Sequence, residues 1–295
     1  MAERQGRSWT IRASLLGILA LGLLGHAARA SDTPGSGNLY RAVALVTGTD
    51  LRMRATGIAE CLRQVLVKVS GEPRLRDDPR VAALAAHPEP LIASYDYADE
   101  MAGIPKKDDQ GSYDRPHYLT VRFVPERIDA ALVELGETPW RGARPAILPV
   151  LSVRGFDGAS YLLSAESPRA AAQREALASL ARDFAMEARF PSEAELKAWR
   201  VRPGRLPSPP AETGPGEALV TGTLVFDAKA PGWVGRWRMR WRGRGYAWTI
   251  SGVNYDAAFR DLVSGAVRIV SGHGAPPREI ASHVGGTGLP QAVAR

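Results

Sequence analysis

Val234–Ser251 reads VGRWRMRWRGRGYAWTIS, and its alternation decides what kind of sheet the carboxyl-terminal half builds. In an extended chain, side chains alternate between two faces, so Trp233, Trp237, Met239 and Trp241 share one side. Arg236, Arg238, Arg240 and Arg242 then share the other. Tyr246, Trp248 and Ile250 give a returning strand a matching apolar side, and Gly243 to Gly245 supplies the turn between them. No acidic residue lies between Lys229 and Tyr255. The expected result is a hairpin that buries tryptophan and presents guanidinium groups about 7 Å apart. Such a row of like charges is either well solvated or meets an anion.

Reading outward, Ala218 to Phe226 is a second apolar strand, and Ala146 to Val153 is a nearly continuous apolar run with Pro149 as its one discordant residue. Between them, Ser167 and Pro168 open a helix with the stripe Leu177, Leu180, Ala181, Phe184 and Ala188. Ser192 and Glu195 have capping-box spacing for a further short helix. Strand, crossover helix and strand predict parallel pairing. The proline-rich stretch Arg202–Glu217 reads as a surface loop or linker. A final helix starts at Asn254, carries Tyr255, Phe259, Leu262, Val263, Ala266, Val267 and Val270, and stops at Gly272.

The amino-terminal half reads the same way. Tyr40 to Val46 is a strand, and Asp50 caps a helix whose apolar positions Leu51, Ala55, Ile58, Leu62, Val65, Leu66 and Val69 run to Gly71. Pro79 and Pro88 open shorter helical pieces, the second carrying Leu91, Ile92, Tyr95 and Tyr97. Tyr118 to Val124 alternates as a strand, and Pro125 starts a helix with Ile128 and Leu132 that stops near Gly136. The expected fold class is α+β, in two αβ units. The second is a mixed sheet with a βαβ crossover, an antiparallel hairpin and a closing carboxyl-terminal helix. The expected boundaries are 1–30 for a signal peptide, 31–139 and 140–272 for the units, and 273–295 for a disordered tail.

The 295 residues are 45% hydrophobic and 23% charged, the balance of a folded protein. Met1 to Arg12 carries three arginines, Ala13 to Gly25 is uncharged and leucine-rich, and Ala28-Arg29-Ala30 has small residues where a signal peptidase reads them. This predicts export to the periplasm with cleavage near Ala30-Ser31. The formal charge is +7. Removing Arg4, Arg7, Arg12 and Arg29 with Glu3 leaves about +4, so the mature chain is not strongly basic and its positive charge is local. After cleavage, no later segment is long and apolar enough to span a membrane.

The search for catalytic signatures returns little. No GxxxxGK[ST] occurs and none of the five lysines follows a glycine, so the usual phosphate cradle is missing. No serine sits in a nucleophile elbow, and no HExxH is present. His87, His117, His273 and His283 are far apart, which predicts no metal and no cofactor. Cys61 falls near the buried stripe of its helix and reads as a small hydrophobe. Asp77-Asp78, Asp108-Asp109 and the group Asp96, Asp99, Glu100 read as turn formers or caps.

Several segments together resemble a known family. These are Ala59–Gly71 (AECLRQVLVKVSG), Asp78-Pro79, Tyr95-Asp96-Tyr97, Val121-Arg122-Phe123, Pro139-Trp140 and Arg144-Pro145. They resemble the bacterial envelope family called domain of unknown function two thousand and sixty-six, from about Leu39 to about Val270. That resemblance implies no established activity and no catalytic residues. Leu219–Leu224 (LVTGTL), followed by tryptophan-rich strands, also resembles the TolB amino-terminal domain and the curli-secretion lipoprotein fold. This second likeness implies a partner-binding module of envelope assembly.

The functional expectation is therefore a non-catalytic adaptor or binding component of the cell envelope. Arg236, Arg238, Arg240 and Arg242 would engage an acidic envelope surface or protein partner; a merely solvated face is the competing account. Nucleic acid is not expected, because the aromatics are turned inward. Two alternatives stay open. One is a periplasmic hydrolase assembled near Asp96 to His117, and the other is a small-ligand carrier with an apolar cavity.

Overall fold

The computed structural model describes residues 39–103, 115–205, 207, 214, 216–229 and 232–276. The expected signal peptide at 1–30 and most of the expected tail, 277–295, lie outside the described residues.

Arg41–Thr47 (β1), Ile92–Asp99 (β2) and Pro116–Phe123 (β3) form an antiparallel sheet with β3 in the centre. Its inner face, with Ala42, Ala44, Val46, Leu119 and Val121, is buried. The helix Leu51–Ser70 (α1) packs against it. Asp50 accepts the backbone N–H groups of Arg52 and Met53 at the start of α1, and Gly71 closes it in the left-handed conformation, φ 76°. Pro79–Ala85 (α2) is capped by Asp78, and Pro125–Glu134 (α3) follows β3.

The segment after Pro88 corrects the expectation of a helix. Only one 3-10 turn forms, at Glu89–Leu91, and Ile92 onward is strand. Tyr95 pairs with Val121 and Tyr97 with Leu119, so the two tyrosines share a face at period two. Short apolar runs carry either periodicity, and the open edge of β3 decides between them.

The second sheet holds Ala146–Arg154 (β4), Ser160–Leu162 (β5), Glu217–Asp227 (β6), Gly232–Trp241 (β7) and Arg244–Val253 (β8). Its order is β5-β4-β6-β7-β8, with β4 and β6 parallel and every other pair antiparallel. The crossover between β4 and β6 contains Ala171–Arg182 (α4) and Glu193–Ala198 (α5). The helix Tyr255–Ser271 (α6) closes the fold, capped by the Asn254 side chain at its start and by Gly272 at its end. The α+β class with a three-stranded antiparallel sheet, a five-stranded mixed sheet and a last helix is thus the observed architecture.

Two details of the crossover differ from the pattern. Pro168–Ala170 is a 3-10 turn without a side-chain cap from Ser167, and α4 ends at Arg182. Phe184 and Ala188 therefore lie beyond the helix, and Ala188 bridges to Ile147 of β4. This bridge also explains Pro149. Ile147 uses its backbone groups on Glu187 and Arg189, and the Leu151 carbonyl accepts from Leu163 on the same edge. Pro149 falls between these two attachments, where the lost N–H has no partner to miss.

One apolar face of the second sheet, with Trp237, Met239 and Trp248, packs under α6 and α4 and joins a core continuous with that beneath the first sheet. On the opposite face, Leu148 and Val150 of β4 are covered by Leu196 of α5. Among the described residues, no helix covers the β7 and β8 part of that face, where Arg236, Arg238, Arg240 and Thr249 are exposed. Among the described residues, no helix is long and apolar enough to cross a membrane.

Candidate anion-binding face

The hairpin turn sets the register of the arginines. Trp241 pairs with Arg244, leaving a two-residue loop, and both loop residues have positive φ, 47° at Arg242 and 77° at Gly243. This is the loop geometry whose twist suits two antiparallel strands. Arg236, Arg238 and Arg240 alternate outward along β7, all exposed, while Trp237 and Met239 alternate inward, both buried. Arg242 departs from the expected row of four. It stands in the turn, and with Arg244 it lines a cavity at the other side of the sheet.

Backing for the row is rigid. Trp237 is 1% exposed and its indole N–H donates to Asp261 of α6 at 2.8 Å. Its ring lies over Gly222, where an added Cβ would come within 2.3 Å. Across the sheet, Thr223 pairs with Arg236 and Thr221 with Arg238 on β6, while Thr249 and Ala247 pair with the same arginines on β8. The outward face therefore sets guanidinium groups among threonine hydroxyls and small or apolar side chains such as Ala247 and Leu219.

Several other exposed arginines of this chain take a carboxylate, while Arg52, Arg127, Arg154 and Arg260, also exposed, form no ion pair among the described residues. Arg76 pairs with Glu60, Arg80 with Asp78, Arg122 with Asp96, Arg169 with Asp157, and Arg182 with Glu175. Among the described residues no ion pair forms at Arg236, Arg238, Arg240 or Arg242. The positive charge of this face is left for solvent or a ligand.

Among the described residues, cavities meet the arginines at three places. One of about 560 Å³ lies between the hairpin end and α6, lined by Trp140, Trp241, Tyr246, Arg242 and Arg244 among others. A second, about 380 Å³, sits beside Arg238 and Arg240. The third, about 310 Å³, lies at the far end of the row and includes Arg154 and Arg236.

Of the segment expected for a hydrolase, Asp96 to His117, the structure describes the two ends. Asp99 is opposite His117 in the β2–β3 pairing, but Asp96 is exposed and bound to Arg122 at 2.8 Å. Glu100 accepts from the Tyr118 hydroxyl at 2.8 Å, and the His117 Nδ1 lies 2.8 Å from the Arg115 carbonyl. Asp108, Asp109 and Asp114 fall outside the described residues. Cys61 is fully buried, and burial pushes its thiol up to about 12, well away from the reactive thiolate range.

One cluster has no counterpart in the sequence pattern. Glu72, Glu137 and His273 bring ligand atoms within 4.8 Å of one another, a spacing that a metal ion could bridge. Glu72, however, is already bound by Arg74 and Arg268, whose positive charges disfavour a cation there. His273, the first residue of the expected tail, is held by Glu137 at 2.9 Å and Ser271 at 2.8 Å. These residues come from three distant parts of the chain, and no local motif announces them.

Residues 36–141 match the family described as "Domain of unknown function (DUF8605)". This corrects the resemblance to domain of unknown function two thousand and sixty-six, since the matching family is a different one. No curated protein and no solved structure matches the chain, so the likeness to TolB and the curli-secretion lipoprotein finds no support either.

Proposed function

We propose that this protein is a non-catalytic binding component of the bacterial cell envelope, exported by the leader at residues 1–30, and that Arg236, Arg238 and Arg240 engage an acidic surface or partner. The observation that carries the reading is the row of exposed, unpaired guanidinium groups on a strand fixed from behind by Trp237. Side chains about 7 Å apart on one strand repel, and an anion removes that cost. Charge of this kind acts within a Debye length, about 8 Å at physiological salt, so binding through it is salt-sensitive.

The test is co-sedimentation with phosphatidylglycerol vesicles, together with capture from envelope extract, at low and moderate salt. Salt-sensitive binding that disappears in the triple variant Arg236→Gln/Arg238→Gln/Arg240→Gln supports the role. Equal binding by wild type and variant sinks it. Periplasmic recovery with Ser31 as the first residue is the expected outcome of fractionation and amino-terminal sequencing.

A carrier of a small amphipathic ligand is the second reading. It is favoured by the 560 Å³ cavity, where Trp140, Trp241 and Tyr246 offer apolar walls beside Arg242 and Arg244. Saturable quenching of tryptophan fluorescence by a medium-chain fatty acid, weakened by Arg244→Gln, is its expected signature.

A further inference from the structure

We propose that the cavity at the β4 end of the arginine row is a binding site for a phosphate monoester, held between Arg154 and Arg236. The sheet register makes the site. Ser152 on β4, Thr223 on β6 and Arg236 on β7 occupy one row across three adjacent strands. Ser160, Arg154 and Val225 occupy the next row. All six line the same cavity of about 310 Å³, joined by Gly204.

Its polar chemistry is one-sided. The Gly204 N–H donates to Ser152 Oγ at 2.8 Å. A hydroxyl that accepts this bond keeps its own proton to give elsewhere. Ser160 and Thr223 add two more hydroxyls. Among the described residues, no ion pair forms at Arg154 or Arg236, and no carboxylate lines the cavity.

Two guanidinium groups with three hydroxyls ask for a ligand with two negative charges and several acceptor oxygens in a compact tetrahedron. A phosphate monoester supplies close to −2 and three terminal oxygens at neutral pH. A diester carries one charge and two free oxygens, and a carboxylate is planar with two. Val225 adds an apolar wall beside the group to which the phosphate is esterified. The inference rests on the anion-binding reading of this face through Arg236. Arg154 is additional, since it stands two strands away from β7.

Isothermal titration with inorganic phosphate and with glycerol 3-phosphate tests the site. Wild type is expected to bind both, and Arg154→Gln is expected to weaken both by about tenfold or more, the loss of one charged hydrogen bond. Ser152→Ala is expected to weaken them less, with an unchanged circular dichroism spectrum as the check on folding. Arg127→Gln, at an exposed arginine of α3 outside both the cavity and the arginine row, is expected to bind phosphate as wild type does.

A parallel arm compares phosphatidic acid vesicles, which carry a monoester, with phosphatidylglycerol vesicles, which carry a diester. Preference for phosphatidic acid that is lost in Arg154→Gln assigns the ligand to a lipid headgroup. Phosphate binding without that preference assigns it to a soluble monoester. Phosphate binding insensitive to Arg154→Gln, or equally lost in Arg127→Gln, overturns the site. If Arg238→Gln/Arg240→Gln leaves acidic-surface binding intact while Arg154→Gln abolishes phosphate binding, the broader face reading fails and this site stands.

Discussion

Glu72 and Arg268 form a buried ion pair that ties the end of α1 to α6 across 196 residues of chain. Their side chains are 1% and 8% exposed. Ser271 repeats the connection by donating to the Gly71 carbonyl at 3.2 Å. The first and last helices are thereby joined by polar groups placed within the apolar core.

Breaking that pair should be expensive. Glu72→Gln leaves the Arg268 charge buried, and an unfolding free energy lower by about 3–5 kcal/mol is expected in urea titration. Arg76→Gln, which breaks the half-exposed pair with Glu60, should cost at most about 1 kcal/mol. Burial raises the Glu72 carboxyl, but hydrogen bonds from Arg74 and Arg268 outweigh it and hold the group below its ordinary 4.5. The stability it contributes is present above pH 4.5 and lost as pH falls through the depressed value, so Glu72→Gln should flatten the acid limb.

Lys68 should give the opposite limb. Burial holds its ammonium down to about 8, and its Nζ donates to the Arg41 carbonyl at 2.6 Å. Between pH 8 and 10.5 the unfolded chain binds the extra proton, so this group adds stability as pH rises. Cys61, raised to about 12, slopes the other way from pH 9 upward. The urea midpoint of wild type minus that of Lys68→Met isolates the lysine, and the difference should grow more favourable to wild type with pH.

Arg144 gathers three carbonyls, from Lys68, Trp140 and Phe184, at 2.9, 3.4 and 2.6 Å. Its guanidinium also lies 4.1 Å from the Trp140 ring centroid. A lysine cannot serve this fan of acceptors and the stacked ring together. Arg144→Lys should lose about 2 kcal/mol, with thermal unfolding as the measurement; a melting curve superimposable on wild type would remove the clamp from this account.

Gly222 sits where Trp237 leaves no room for a side chain. Gly222→Ala should destabilise by about 1–3 kcal/mol through overpacking, although alanine is the milder residue for a strand backbone. Loss of near-ultraviolet circular dichroism from Trp237 would accompany it.

Cys61 should react with a thiol reagent only after unfolding. Its sulfur is enclosed and its S–H faces the Leu119 carbonyl at 3.8 Å. Stoichiometric labelling of the native protein within seconds would show that the helix opens locally.

Local pattern carried much of the fold. Asp50 and Gly71 mark α1, Asn254 and Gly272 mark α6, and Ser192 with Glu195 marks α5, because caps and periodicity act within one or two turns of chain. The arginine row was legible for the same reason: a period of two needs only the strand itself. Tyr95 and Tyr97 fit a helix as well as a strand in sequence, because a short apolar run has no preferred period until a neighbouring strand offers its edge. Arg242 left the row because the choice of loop residues depends on how β7 and β8 register.

What the sequence alone determined is therefore the capped helices, most of the strands and which side of β7 carries charge, all of them consequences of backbone geometry and nearby side chains. Tertiary structure alone decided the pairing of Glu72 with Arg268 and the meeting of Ser152, Arg154, Thr223 and Arg236 over one sheet face. Those contacts join residues far apart in the chain, and only strand order and helix packing set the distances between them.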